Sequence, residues 1–151
     1  MSEIGFYHLT RSMAEAALPK LLGRTLALGE RAVVVAPSEE RLSAISTALW
    51  LSGDPDWLPH GDARSGHAAH QPIWLSTRPE SPNRGRFLFL LDGAEAEESA
   101  WARVFDLFDG NDAAAVAAAR ERWRRRKAAG HALTYFQQTA AGWERKGEAA
   151  G

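Results

Sequence analysis

The chain has 151 residues, of which 45% are hydrophobic and 25% charged, and this predicts one domain with one ordinary hydrophobic core. Its formal net charge of −1 argues against a protein that coats nucleic acid with its whole surface, because such binding depends on neutralising phosphates. The absence of cysteine excludes disulfides, cysteine-ligated zinc and thiol nucleophiles.

Two β-α units open the chain. Residues 4–9 form an apolar and aromatic run that is typical of a strand. Ser12 and Glu15 then make a capping box, which predicts a helix that Gly29 closes. Residues 31–36 (RAVVVA) form the β-branched run of a strand that is buried on both faces.

A second helix follows, with Ser38 as its expected cap. Its apolar residues recur at spacings of three and four, which predicts an inward face made of Leu42, Ile45 and Leu49. Residues 54–71 hold prolines, glycines and histidines without apolar periodicity, so we expect a long surface loop.

The remaining elements continue the alternation. We expect strands over 72–76 and 86–91, a short helix over 100–108, and a long helix capped by Asn111 and stopped by Gly130. Strands that alternate with helices imply an α/β fold with a mainly parallel sheet and right-handed crossovers.

Nucleotide-binding chemistry is disfavoured by the turn after the first strand. It reads HLTRSM, and neither G-x-G-x-x-G nor G-x-x-x-x-G-K-[ST] occurs anywhere in the chain. Without those glycines the backbone has no ready approach to a pyrophosphate. We therefore expect no nucleotide cofactor, and no Ser elbow or pair of catalytic carboxylates can be assembled.

A metal site is a weak alternative in the loop. Imidazole and carboxylate groups are ordinary zinc ligands, and His60, Asp62, His67 and His70 lie close together in sequence. Their spacing matches no standard site, so the interpretation as polar loop residues is favoured and we expect no bound metal. Asp92 follows a strand, where α/β enzymes place catalytic groups, but before Gly it is more typical of a turn.

The strongest local signal is the run RERWRRRK over residues 120–127. On a helix, Arg120, Arg124 and Lys127 fall on one stripe with Trp123 beside them. Such a stripe suits an acidic peptide or a phosphate backbone, since guanidinium groups fork onto carboxylates and phosphates alike. A solvated basic face near a helix C-terminus is the alternative, and these residues alone do not decide between them.

Two tryptophans also suggest a contact surface. Trp50 near a helix end and Trp57 in the following loop are suited to binding a partner. Closure over the hydrophobic core is the alternative for both.

Eight segments together carry a family resemblance. They are FYHLT (6–10), APSEERL (36–42), ALW (48–50), WLPHG (57–61), FLFLLDGA (87–94), RVFDLFDG (103–110), ARERWR (119–124) and AGHALTYFQQ (129–138). In this order and spacing the chain resembles the chi subunit family of bacterial DNA polymerase III holoenzyme over nearly its whole length. The resemblance implies a Rossmann-like α/β domain, a mainly parallel sheet flanked by helices, that lacks a nucleotide-binding glycine loop. We expect one such domain over 1–146 and a flexible tail over 147–151.

The resemblance also implies a first partner. In this family the last helix and the segment after it receive the acidic C-terminal tail of single-stranded DNA-binding protein, which ends in a phenylalanine carboxylate. Arg120 and Arg124 would then bind carboxylates, while Trp123 and Leu133 would line the pocket for the terminal ring. Trp123 and Arg124 stand where other members carry Tyr and Lys, which keeps the apolar wall and the charge.

A second partner is implied by the [FW]-[LV]-P-H motif. The family binds the psi subunit of the clamp loader complex, and the resemblance assigns Trp57 and Trp50 to that surface; a helicase or another clamp-loader protein is the alternative occupant. The resulting hypothesis is a non-catalytic replication adaptor that contacts DNA mainly indirectly.

The N-terminus has no leader pattern and no run reaches about 18 apolar residues, so we expect a cytoplasmic protein without membrane contact.

Two other function classes stay open from the sequence. The first is a direct single-stranded nucleic-acid binder that uses the basic helix on phosphates and Trp123 for stacking. The second is an enzyme of the nucleotide-binding α/β class, which the missing glycines make the least favoured.

Overall fold

The computed structural model describes residues 2–53 and 58–149. Strands and helices alternate along most of this part of the chain. The strands are β1 (Glu3–Leu9), β2 (Ala32–Val35), β3 (His60–Gly61), β4 (Ile73–Ser76), β5 (Phe87–Leu91), β6 (Arg103–Asp109), β7 (Ala132–Thr139) and β8 (Gly142–Ala149). The helices are α1 (Ala14–Ala27), α2 (Glu39–Leu51) and α3 (Ala113–Ala128), with short 3-10 turns at Ala68–His70 and Glu98–Ala100.

These strands form one eight-stranded sheet in the order β3-β4-β2-β5-β6-β1-β7-β8. Every neighbouring pair is parallel except β7 and β8, which are antiparallel. The prediction of a Rossmann-like, mainly parallel α/β fold is therefore confirmed. None of the helices in the described residues is long and apolar enough to cross a membrane.

Hydrophobic cores cover both faces of the sheet. In β2, for example, Val34 belongs to the core under α1 and α2, whereas Val33 and Val35 belong to the core under α3. Side chains of a strand alternate between the two faces, so a strand covered on both sides is apolar throughout. The run RAVVVA has this composition, and it therefore predicted a strand buried on both faces.

Several helix ends agree with the sequence predictions. Ser38 caps α2 by accepting a hydrogen bond from the Arg41 amide, and Leu42, Ile45 and Leu49 are buried as expected. Gly29 and Gly130 follow α1 and α3 with φ of 77° and 88°, the left-handed conformation that glycine adopts without strain.

The helix expected over 100–108 is wrong, because Arg103–Asp109 is strand β6 between β5 and β1. Val104, Phe105, Leu107 and Phe108 are all buried, so the segment needs cover on two faces. An acid in the middle of this apolar run hides the pattern of a central strand. The carboxylate of Asp106 is tolerated there only because α3 supplies its partners, as described below.

The cap of α3 is also one residue away from the expected position. Asp112, and not Asn111, accepts the amides of Ala114 and Ala115 at 2.9 and 3.3 Å. The Asn111 side chain instead donates to the carbonyl of Thr10 at 3.2 Å. This bond joins the segments that follow the neighbouring strands β6 and β1.

Residues after Gly130 had no element assigned from the sequence, and they form the β7–β8 hairpin. β8 continues through Ala149, opposite Leu133, so it includes residues 147–149 of the expected flexible tail. Residues 150 and 151 lie outside the described part of the chain.

This hairpin closes the turn between β1 and α1. The side-chain oxygen of Gln138 accepts the backbone amides of Thr10, Arg11 and Ser12 at 3.2, 2.9 and 3.1 Å. Its amide nitrogen donates to the Ser12 hydroxyl at 2.8 Å. The predicted capping box is therefore wrong: Ser12 is held by Gln138, and Met13 is the N-terminal cap residue of α1 without a side-chain hydrogen bond.

Replacing Gln138 by Ala should lower the free energy of unfolding by about 1–3 kcal/mol, because three amides lose their shared acceptor. Gln137→Ala, the adjacent residue of the same strand, is the matched control and should change stability by less than about 1 kcal/mol. Denaturant unfolding of the two variants measures both values. Equal losses in the two variants would show that the turn does not depend on this contact.

Candidate partner-binding surfaces

The inner face of α3 is fixed to the sheet by a buried group of charges. Arg122 donates to both oxygens of Asp106, at 2.7 and 3.0 Å. Arg126, one turn later, donates to Asp106 at 2.7 Å and to Glu98 at 3.1 Å. Asp106 and Arg126 are each 1% exposed, so solvent does little to screen the attraction between them.

Arg126 also contacts an aromatic ring. Its guanidinium carbon lies 5.2 Å from the centre of the Phe6 ring, a distance suited to a cation–π contact. Its Nη2 is buried without a hydrogen-bond partner among the described residues. Two of the six basic residues of the run RERWRRRK are thus structural, and sequence reasoning missed this role.

The outer face of α3 carries the predicted stripe. Arg120, Arg124 and Lys127 are all exposed, as the helical spacing predicted. Arg124 forms an ion pair with Glu121, one turn earlier on the helix. Arg120 and Lys127 pair with no acid of the described residues, which leaves their charges available to a ligand.

An aromatic group borders this stripe. Trp123 is half-buried and lies edge-on to Phe6 and Tyr135, with ring centres 5.2 and 5.8 Å apart. The Tyr135 hydroxyl is hydrogen bonded to Nδ1 of His8 at 2.8 Å. Partial burial raises the pKa of Tyr135 above its ordinary value, so this hydroxyl keeps its proton at neutral pH.

Leu133 lies beneath this surface. It is 2% exposed and belongs to the core between β7 and α3, so the partly exposed wall next to Trp123 is made by Tyr135. Sequence reasoning did not select Tyr135. The signal was the two-residue period of a strand, which puts Leu133 and Tyr135 on the same side of β7.

Trp50 lies on a separate surface, at the C-terminal end of α2. It is 59% exposed, and its neighbour Leu51 is 79% exposed, so the interpretation of Trp50 as a core residue is wrong. The Trp50 ring rests on His60, with ring centres 4.3 Å apart. Trp57, the other tryptophan predicted for this surface, lies outside the described residues.

His60 supports that surface from below. Its Nδ1 donates to the Leu58 carbonyl at 2.8 Å, and its Nε2 is hydrogen bonded to the Ser46 hydroxyl at 2.9 Å. Burial lowers the pKa of His60, so the ring is neutral at pH 7. In the expected surface loop this histidine is therefore a packed residue, and strand β3 begins there.

Asp62, in the same loop, is held by local hydrogen bonds. Asp62 accepts the amides of Arg64 and Ser65 at 2.9 and 3.1 Å. Across residues 2–53 and 58–149, no three His, Asp or Glu side chains gather in a way that would hold a metal ion.

Asp92 is part of a turn, as its position before Gly predicted. Asp92 and Gly93 have φ of 54° and 82°, and the Ala94 amide donates to the Leu91 carbonyl. The Asp92 carboxylate forms an ion pair with Arg41 at 2.5 Å. Arg41 also pairs with Glu15, so these charges join α1, α2 and the end of β5.

Asp106→Ala should lower the free energy of unfolding by about 3–5 kcal/mol, because two buried guanidinium groups lose their shared counter-charge. Glu95→Ala is the matched control: it also removes a carboxylate that pairs with an arginine of α3, but Glu95 is 57% exposed. We expect that variant to lose about 0–1 kcal/mol. Denaturant unfolding distinguishes the two, and similar losses would contradict the anchoring role of Asp106.

Comparison with known proteins identifies the family of the chain. The family model described as "DNA polymerase III chi subunit, HolC" matches residues 1–134. A protein of Rickettsia prowazekii (strain Madrid E), named a probable DNA polymerase III subunit chi, is 20% identical over 91 residues. That alignment spans 60% of this chain and 55% of the relative, so the chain covers little more than half of the relative's length. Because the family model matches most of the chain, the chain belongs to the DNA polymerase III chi subunit family.

Proposed function

We propose that this protein is a non-catalytic accessory subunit of the cytoplasmic DNA replicase that binds the acidic C-terminal tail of single-stranded DNA-binding protein and links it to the clamp loader. Membership of the chi subunit family supports a place in DNA replication. The observation that carries the tail-binding role is the exposed guanidinium of Arg120 beside the half-buried ring of Trp123.

The chemistry of α3 fits an acidic peptide that ends in an aromatic residue. Exposed guanidinium groups bind carboxylates through paired, charge-assisted hydrogen bonds. The rings of Trp123 and Tyr135 lie next to them and offer apolar area to a terminal side chain. A short peptide gains most of its affinity from such an aromatic anchor together with a few charged contacts.

Direct binding of nucleic acid by this helix is less favoured. Phosphate-backbone affinity grows with the number of accessible cations, and Arg122 and Arg126 of the run are buried in ion pairs with acids. Arg120 and Lys127 are the members of the stripe with no acid partner in the described residues. The short exposed stripe that remains suits a short peptide better than a continuous phosphate chain.

The link to the clamp loader is proposed for the surface at the end of α2. Trp50 and Leu51 are exposed apolar side chains in consecutive positions, and large apolar residues at a surface commonly mark a protein contact. The partner is the psi subunit or an equivalent clamp-loader protein, and Trp57, in the segment that follows α2, is assigned to the same surface.

Arg120→Ala and Arg124→Ala should each weaken binding of an acidic, Phe-terminated peptide by roughly 1.5–3 kcal/mol, the range for hydrogen bonds to charged groups. The free energy of unfolding should barely change, because both side chains are exposed. Fluorescence anisotropy of a labelled peptide measures the affinity, which should also fall as salt rises.

Two further variants sharpen that experiment. Arg64→Ala removes an arginine that is 73% exposed elsewhere on the surface, so it should leave the affinity unchanged. Glu121→Gln should strengthen peptide binding, because it releases Arg124 from its ion pair. If Arg120→Ala and Arg124→Ala both bound the peptide with wild-type affinity, the assignment of tail binding to this face of α3 would be contradicted.

Trp50→Ala should reduce binding to the clamp-loader complex of the same organism by about 2 kcal/mol or more if Trp50 is an interface anchor. Its exposure predicts little loss of fold stability. Leu28→Ala is the matched control, because Leu28 is a similarly exposed apolar residue (65%) at the end of α1. An equal effect of both variants, or none from Trp50→Ala, in a pull-down titration would contradict this assignment.

A further inference from the structure

A second basic surface lies on the opposite side of the sheet from α3. It is a cleft of about 490 Å³ between α1 and the turn of the β7–β8 hairpin. Arg11, Lys20 and Arg24 contribute positive charge to its lining, and no acidic residue lines it. This surface was not predicted from the sequence, since these three residues form no continuous basic run.

The positive charges of this cleft are free. Arg11, Lys20 and Arg24 are exposed, and none of them forms an ion pair with an acid of residues 2–53 and 58–149. The acids nearest to Lys20 and Arg24 in sequence are already engaged, since Glu15 pairs with Arg41 and Glu30 pairs with Arg86. In a chain whose net charge is −1, these three cations without a paired acid create a local positive potential that attracts anions.

An aromatic ring completes the cleft. Trp143, in β8, is partly exposed and lies edge-on to Tyr7 with ring centres 5.1 Å apart. It packs against the core on the side of α1 and α2, whereas Trp123 packs against the core on the side of α3. The two basic and aromatic surfaces are therefore separate sites.

The shape of the charge distribution indicates the class of ligand. Lys20 and Arg24 are one helical turn apart on α1. Arg11 lies just before the start of this helix, and Arg24 lies about 15 Å from that start along the helix axis. A positive groove of this length with an aromatic side chain is the combination that binds single-stranded nucleic acid. A single terminal carboxylate would use only one end of it, and the alanine floor at Ala16 and Ala17 offers no deep apolar pocket for a peptide side chain.

We propose that this cleft binds the phosphate backbone of single-stranded nucleic acid, with Trp143 in contact with a base. Its hairpin wall lies beyond residue 134, where the match to the chi subunit family ends. The cations of this cleft come from α1 and the turn before it, whereas the tail-binding face lies on α3, so the two sites are independent.

The test measures binding of a labelled oligothymidine of about 16 nucleotides by anisotropy over a range of salt concentrations. Each lost phosphate contact changes the slope of log K against log salt by about 0.7 on a single strand, so Lys20→Ala/Arg24→Ala should reduce the slope by about 1.4. At about 50 mM salt its affinity should fall more than tenfold. Arg64→Ala/Arg78→Ala, at two exposed arginines that do not line the cleft, is the matched control and should bind the oligonucleotide like the wild type; Arg120→Ala/Arg124→Ala tests the α3 face separately.

Three outcomes would overturn the proposal. They are no oligonucleotide binding by the wild type at low salt, unchanged binding in Lys20→Ala/Arg24→Ala, or a loss caused by the α3 variant alone. Titration of the acidic, Phe-terminated peptide against the same variants separates the two sites. A peptide affinity lost in Lys20→Ala/Arg24→Ala while oligonucleotide binding persists would assign the cleft to an acidic peptide and reject the nucleic-acid ligand.

Discussion

The buried carboxylate of Asp106 is the constraint on which the rest of the proposed tail-binding face depends. A charge at the centre of a sheet is tolerated only with strong partners, and Arg122 and Arg126 supply them from consecutive turns of α3. Their position decides the rotation of the helix about its axis. Arg120, Arg124 and Lys127 must then point to solvent, and Trp123 lies at the boundary beside Tyr135.

A second long-range contact decides the character of the first β-α turn. The fold resembles nucleotide-binding domains, in which the amides of this turn receive phosphate. Here Gln138 of the C-terminal hairpin accepts the amides of Thr10, Arg11 and Ser12, so those donors are satisfied within the chain. The same hairpin also forms one wall of the cleft that contains Lys20 and Arg24.

Both faces of the sheet thus combine unpaired cations with a partly exposed tryptophan, although the whole chain is nearly neutral. Acids elsewhere neutralise the arginines that hold elements together, such as Arg41 between α1, α2 and the end of β5. The remaining charges are concentrated at two surfaces. An adaptor that contacts a DNA-bound protein with one face and the strand itself with the other would use both surfaces at once.

The sequence by itself determined the α/β class, the burial of α2's inner face and the exposed stripe on α3, because these follow from local periodicity and from capping residues such as Ser38. It did not determine β6, because the acid at Asp106 breaks an apolar run and its arginine partners are 16 and 20 residues away. Nor did it reveal the role of Gln138, whose contacts span up to 128 residues. Those features depend on which distant groups meet across the sheet, and only the tertiary structure decides that.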